Sequence, residues 1–220
     1  AISRTVRAFL QNTWQVQSAK ITVIYNGVDT EKLRRGVRAD GNNDVTIGFL
    51  GRLESIKRPH YFLEALTELA SKGVRPPAVV AGDGSMRADL EEYARTHDLS
   101  HVTFVGAFSD VASMLRDIDV LVVPSTKEGL GLVVLEGLFS SKVVVASDIP
   151  AFRELVRHKE NGLLFPVGNI QDLTDILETL LKDPEVSTKL REGGGQWRNE
   201  YQERFSLEYT VGEYKKALGL

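Results

Sequence analysis

Val120-Leu121-Val122-Val123-Pro124-Ser125-Thr126-Lys127-Glu128-Gly129-Leu130-Gly131-Leu132-Val133-Val134-Leu135-Glu136 joins an apolar run to a glycine-punctuated turn and then to a second apolar run. The first run does not alternate apolar with polar residues, which fits a parallel strand covered on both faces. The second, over Leu132–Ser140, reads as a helix that opens just past Gly131. A buried strand that empties through a glycine turn into a helix is part of a strand–helix–strand unit. Outward from it the same alternation recurs. Apolar strand runs stand at Val45–Leu50, Ala78–Ala81, Val102–Val105 and Val143–Ala146, with a weaker one at Gly162–Phe165. Helical stretches stand between them at Tyr61–Ser71, Met86–Thr96 and Val111–Arg116. Right-handed crossovers then give the fold class: α/β, a doubly wound parallel sheet flanked by helices. Past Asn169 the pattern is helical, over Ile170–Leu181, Pro184–Trp197 or beyond, and Leu207–Leu218, the last capped by Ser206 with Leu207, Val211, Tyr214 and Leu218 as one stripe. At the other end, Ile2, Val6, Phe9, Leu10 and Trp14 recur at helical spacing. A β-rich run at Ile21–Tyr25 follows and ends in an Asn26-Gly27 turn, and Gly36–Asp44 reads as a loop.

Composition narrows the function. At 42% apolar and 26% charged in 220 residues, the chain has a globular make-up and enough length for a sizeable core. The net charge of −3 gives no basic excess for nucleic acid, so a phosphate-bearing ligand must be caught by a local site. Cysteine is absent and the four His show no paired metal motif, which leaves no thiolate chemistry and no expected metal site. No apolar run approaches the ~20 residues that span a bilayer. With no signal-peptide pattern and no cysteine, a cytoplasmic location is the expectation, and the absence of an initiator Met reads as a piece of a longer protein.

In an open parallel sheet, ligands bind at the carboxyl ends of the strands, so the turns there are the places to search. After Val45–Leu50 comes Gly51-Arg52-Leu53-Glu54-Ser55-Ile56-Lys57-Arg58. Three cations at a strand-to-helix turn oppose the helix macrodipole at ~0.3–1 kcal/mol each unless an anion is present, which favours a diphosphate site over a solvated basic helix start. After Ala78–Ala81 comes Gly82-Asp83-Gly84-Ser85, but Arg87 stands where the dinucleotide fingerprint needs glycine. A tight turn with Asp83 or Ser85 capping the next helix suffices there. The third turn is the opening stretch, whose free backbone N–H groups near Gly131 to Val133 suit an anion. Glu128 and Glu136 flank it. Spacing alone is weak evidence: 17 Glu give roughly one pair eight apart by chance, and three such pairs occur. Only Glu128 and Glu136 straddle a strand–turn–helix. Glu136 lies inside a helix whose N-terminus favours the ionised form, so a raised-pKa acid is not expected. Carboxylates beside a phosphate site more naturally accept from sugar hydroxyls, which points to a nucleotide sugar.

At these residues the chain resembles the retaining nucleotide-sugar glycosyltransferases of family four, specifically the C-terminal, Rossmann-like, donor-binding half of their two-domain GT-B fold. The likeness runs through Asn26-Gly27-Val28-Asp29, Gly51-Arg52-Leu53 with Lys57, Gly82-Asp83-Gly84, the block from Pro124 to Glu136, and Asn161-Gly162-Leu163-Leu164. It implies a catalytic set of Arg52, Lys57 and Glu128. Arg52 and Lys57, with Gly51, would hold the donor diphosphate; Glu128 would contact the transferred sugar; the backbone at Gly129, Leu130, Gly131, Leu132 and Val133 would help; and Glu136 would take the ribose hydroxyls. Phe108 would touch the base, against an equal reading as a packed core residue. The donor is a nucleoside diphosphate sugar, with no further cofactor and no bound metal. By the same likeness, residues 1–20 are a linker or residual helix from an absent N-terminal acceptor domain, 21–204 the nucleotide-sugar domain, and 205–220 a helix available to pack on that absent domain. The partners implied are a nucleotide sugar and that acceptor domain, with no nucleic acid, and any membrane contact would come through the absent domain. None of His60, His97, His101 and His158 falls on a family catalytic motif. The alternatives are a stand-alone, non-catalytic nucleotide-sugar binding module and, disfavoured by Arg87, a dinucleotide oxidoreductase.

Overall fold

The structure, a computed structural model, describes residues 1–35 and 45–220. The loop expected over Gly36–Asp44 lies outside the described residues. Six parallel strands form one sheet: β1 Ile47–Leu50, β2 Ala78–Ala81, β3 Val102–Gly106, β4 Val120–Val123, β5 Val143–Ser147 and β6 Leu163–Phe165, in the order β3-β2-β1-β4-β5-β6. From β1 the chain winds outward through β2 and β3, then returns to the other side of β1 with β4. The switch point therefore falls between β1 and β4, where an open sheet leaves its crevice.

The helices are α1 Arg4–Trp14, α2 Thr30–Arg35, α3 Pro59–Ser71, α4 Arg87–Thr96, α5 Val111–Arg116, α6 Leu132–Phe139, α7 Pro150–Arg153, α8 Ile170–Lys182, α9 Pro184–Tyr201 and α10 Leu207–Leu218. Strand residues alternate between two cores because successive side chains point to opposite faces. Leu121, Val123, Val144 and Ala146 pack with α5, α6 and Trp197 of α9. Val120, Val122, Val143 and Val145 pack with α3, α4 and α8. Both faces of the sheet are thus covered, which is why its strands are apolar throughout.

Two expectations change. Ile21–Tyr25 forms no strand. Its backbone is instead held by the chain ends: Ala1 donates to the Thr22 carbonyl, Ile24 N–H donates to the Ala1 carbonyl, and the Thr210 hydroxyl donates to the Tyr25 carbonyl. With no strand beside it, a β-branched run has nothing to pair with, and its intrinsic preference is overridden. Neither Asp83 nor Ser85 caps α4, whose N-cap position is Met86. Asp83 accepts from the Gly84 N–H, whereas Ser85 donates through both N–H and hydroxyl to the Glu54 carboxylate. These bonds hold the Glu54 carboxyl below its usual range.

Candidate functional site

A cleft of about 280 Å³ opens at the carboxyl ends of β1 and β4. Its walls include Phe49 to Arg52 and Lys57 from the turn after β1, and Val123, Ser125 and Glu128 to Val133 from the turn after β4. Every residue expected at the site lines it except Phe108 and Glu136. Phe108 is half-buried against the core. Glu136 sits one turn inside α6.

Local sequence explains the walls. Gly131 has φ +90°, and a Cβ there would lie 2.5 Å from the Phe152 ring, so only glycine lets α6 start here. No side chain caps this helix, and the N–H groups of Leu132 and Val133 have no acceptor among the described residues. They face an unfilled demand for an acceptor at the positive end of the helix dipole. Opposite them, a 3₁₀ turn at Ser55–Lys57 presents Lys57. Thr126 fastens the two turns together by donating its N–H and hydroxyl to the Ile56 carbonyl.

The charged groups are not equivalent. Arg52 is exposed in the cleft and makes no salt bridge among the described residues. Lys57 Nζ lies 2.5 Å from Glu128 Oε1, with side chains 21% and 12% exposed. The buried Ser125 hydroxyl donates to the same oxygen at 2.9 Å. Glu136 is the opposite case. Burial pushes its carboxyl up to about 7, and no partner among the described residues offsets this. The expectation of an ordinary ionised carboxyl there is corrected: desolvation outweighs the helix terminus a turn away.

Ser125, inside the Pro124–Glu136 stretch beside Glu128, joins the wall with no role the sequence assigned it. Ile2 and Asn26 come from distant parts of the chain. Ile2 arrives because α1 is bolted down beside the cleft: the buried Ser3 hydroxyl donates to the Gly129 carbonyl at 2.5 Å. Glu154 accepts from Arg4 N–H, from Thr5 N–H and hydroxyl, and from the Tyr25 hydroxyl. Burial alone would raise the Glu154 carboxyl, but those donors hold it below its usual value, while burial and Glu154 together push Tyr25 up to about 12. Lys127, next to Glu128, rests over the Phe9 ring. None of His60, His97, His101 and His158 lines the cleft. Among the described residues no group of three His, Asp or Glu is placed to hold a metal, and no helix is long and apolar enough to cross a membrane.

Strand order and the crevice at the switch point define a Rossmann-like α/β domain. Comparison with known proteins gives the family. Residues 29–197 match the glycosyl transferases group 1 family, and the chain belongs to it. It is 32% identical over 198 residues to an uncharacterized glycosyltransferase of Methanocaldococcus jannaschii, covering 89% of this chain and 52% of that protein. It is 32% identical over 173 residues to the alpha-D-kanosaminyltransferase of Streptomyces kanamyceticus, covering 76% and 45%. Anabaena HepE, solved with UDP and glucose, superposes with a TM-score of 0.84 at 23% identity, covering 100% of this chain and 62% of that one. The chain thus spans about half the length of these curated relatives. Its fold is that of the C-terminal domain of a GT-B glycosyltransferase.

Proposed function

We propose that this chain is the donor-binding part of a retaining glycosyltransferase, moving a sugar from a nucleoside diphosphate sugar to an acceptor hydroxyl. The observation that carries the reading is the cleft at the switch point. It joins an arginine with no salt bridge among the described residues, a lysine–carboxylate pair and an uncapped helix N-terminus within one crevice. Such a crevice suits a ligand with an anionic half and a hydroxyl-rich half. Arg52 and Lys57 take the diphosphate, and the N–H groups of Leu132 and Val133 add donors to it. When the bond from the anomeric carbon to the diphosphate oxygen breaks, negative charge grows on the diphosphate. One well-placed donor at such a position is worth ~3–4 kcal/mol. The reading assigns that stabilisation to Arg52 and Lys57, with no resident cofactor or metal. Glu128 accepts from hydroxyls of the transferred sugar, and Glu136 from the ribose. Phe108 remains the base contact in this reading. Retention at the anomeric carbon rests on the family resemblance.

The match covers about half of each of these relatives, so an acceptor-binding domain belongs to the same proposal. Positioning of two substrates together is worth up to ~7–11 kcal/mol. The 220 residues alone are therefore expected to bind donor without transferring sugar. Titration calorimetry of the chain against UDP, GDP, ADP and their sugar conjugates tests the reading. Binding of one base series, tighter with sugar attached, is the expected result. No binding of any nucleotide would overturn it.

A further inference from the structure

Glu128 has its two carboxylate oxygens in different situations. Both protein donors, Lys57 Nζ at 2.5 Å and Ser125 Oγ at 2.9 Å, converge on Oε1. Oε2 has no protein partner among the described residues. A carboxylate has about four lone-pair positions, and two donors on one oxygen fix the plane and rotation of the whole group. A single mobile lysine would not do this, because its ammonium is a point charge on a flexible stem. Ser125 supplies the missing constraint. It is only 1% exposed, lies two residues past the end of β4, and sits in the strand-to-turn junction fastened to the neighbouring turn through Thr126. Its hydroxyl is therefore placed by the sheet itself.

We propose that Ser125 is the positioning residue for sugar recognition: it pins Oε1 of Glu128 so that Oε2 is left to accept from a hydroxyl of the donor sugar. This rests on the donor-site reading above and adds a specificity element to it. Ser125 touches no ligand in this account. It acts through Glu128, and its effect falls on the sugar half of the ligand alone, since Arg52 and Lys57 still meet the diphosphate when the hydroxyl is gone.

The test is titration calorimetry with UDP and UDP-glucose, or the base series that binds, on the unmodified chain and on Ser125→Ala, Ser125→Thr, Glu128→Gln and the Ser125→Ala/Glu128→Gln double variant. The increment that the sugar adds to affinity is the quantity read. Ser125→Ala should lower affinity for the nucleotide sugar by about fivefold to tenfold while leaving plain nucleoside diphosphate within twofold. Ser125→Thr, which keeps the hydroxyl, should restore most of the loss. In the Glu128→Gln background Ser125→Ala should add little, because residues acting through one another are not additive. Equal losses for both ligands would overturn the proposal and make Ser125 a packing residue. So would full additivity in the double variant. An unmodified chain that binds neither ligand fails differently: it removes the donor site itself. Thermal melts of each variant separate a folding defect, which lowers both affinities together, from the selective loss expected here.

Discussion

Glu128 and Glu136 stand at the two ends of one glycine turn and are the same side chain, yet the fold treats them in opposite ways. Glu128 comes before the helix, where the neighbouring turn brings Lys57 to 2.5 Å and the strand end brings Ser125. Its charge is matched. Glu136 comes one turn inside α6, is desolvated by the packing around it, and is pushed up to about 7 with nothing to offset the burial. A matched carboxylate contributes to stability in the empty protein. An unmatched buried one detracts from it. At Glu136, burial outweighs the nearby helix N-terminus and raises the carboxyl.

The largest expected effect removes the cations of the crevice, including the one that matches Glu128. Arg52→Ala together with Lys57→Ala should weaken nucleoside diphosphate binding by several kcal/mol, at about 1.5–3 kcal/mol for each charged hydrogen bond. Calorimetric affinities unchanged by the pair of substitutions would break the diphosphate assignment.

Next is the stability of Glu136. Its folded-state value lies above the unfolded one, so the native state binds the proton more tightly and stability falls as pH rises from about 4.5 to about 7. Glu136→Gln removes that penalty and should stabilise the fold by up to about 3 kcal/mol at pH 8, with little change at pH 4. Urea denaturation at the two pH values reads it. The same variant should weaken nucleotide with and without sugar alike, if Glu136 meets the ribose. A gain in stability joined to a loss in binding is the signature of a site residue. A loss of stability at pH 8 would contradict the account.

The turn between the two glutamates gives the third. Gly131→Ala forces a side chain into positive φ and against Phe152, at about 1–3 kcal/mol. A thermal melt within a degree of the parent would mean that the start of α6 is less constrained than its geometry.

The smallest effect is Glu128→Gln. It exchanges a charged acceptor for a neutral one beside Lys57 and should cost about 1 kcal/mol of stability, opposite in sign to Glu136→Gln. Should both variants shift the denaturation midpoint in the same direction at pH 8, the distinction between matched and unmatched carboxylates fails.

Much of this was legible in the sequence, for identifiable reasons. Ala78–Ala81 and Val120–Val123 have the bounds their apolar runs predict, because strands covered on both faces leave no other pattern. The stripe on α10 was also legible, with Leu207, Val211, Tyr214 and Leu218 all exposed on the described chain. Two helices went unread. α2, Thr30–Arg35, has one buried apolar residue, Leu33, and so shows no period. α7 is only four residues, opened by Pro150. At the site, the turns announced themselves through glycine and charge. Ile2 and Asn26 did not, since their presence depends on Ser3 meeting Gly129 and on the chain ends closing over residues 21–25. The state of Glu136 was misread because burial is a property of the assembled core, and a helix position says nothing about it. The strand order was equally out of reach, though it alone explains why two turns seventy residues apart share a cleft.

A final consequence follows from the floor beside that cleft. A Cβ at Gly82 would lie 1.8 Å from the Gly51 carbonyl oxygen, and one at Gly84 would lie 2.5 Å from that of Leu53. At these two points the turns after β1 and β2 are therefore seated main chain on main chain, beside the Ser85–Glu54 bonds that also join them. For protein engineering this separates a fixed seam behind the crevice from walls that can vary. Libraries meant to change ligand choice gain nothing at 82 or 84, where a side chain would run into the neighbouring main chain. Diversity belongs instead on Leu132, Val133 and Ile2, which line the crevice and whose replacement leaves that seam intact.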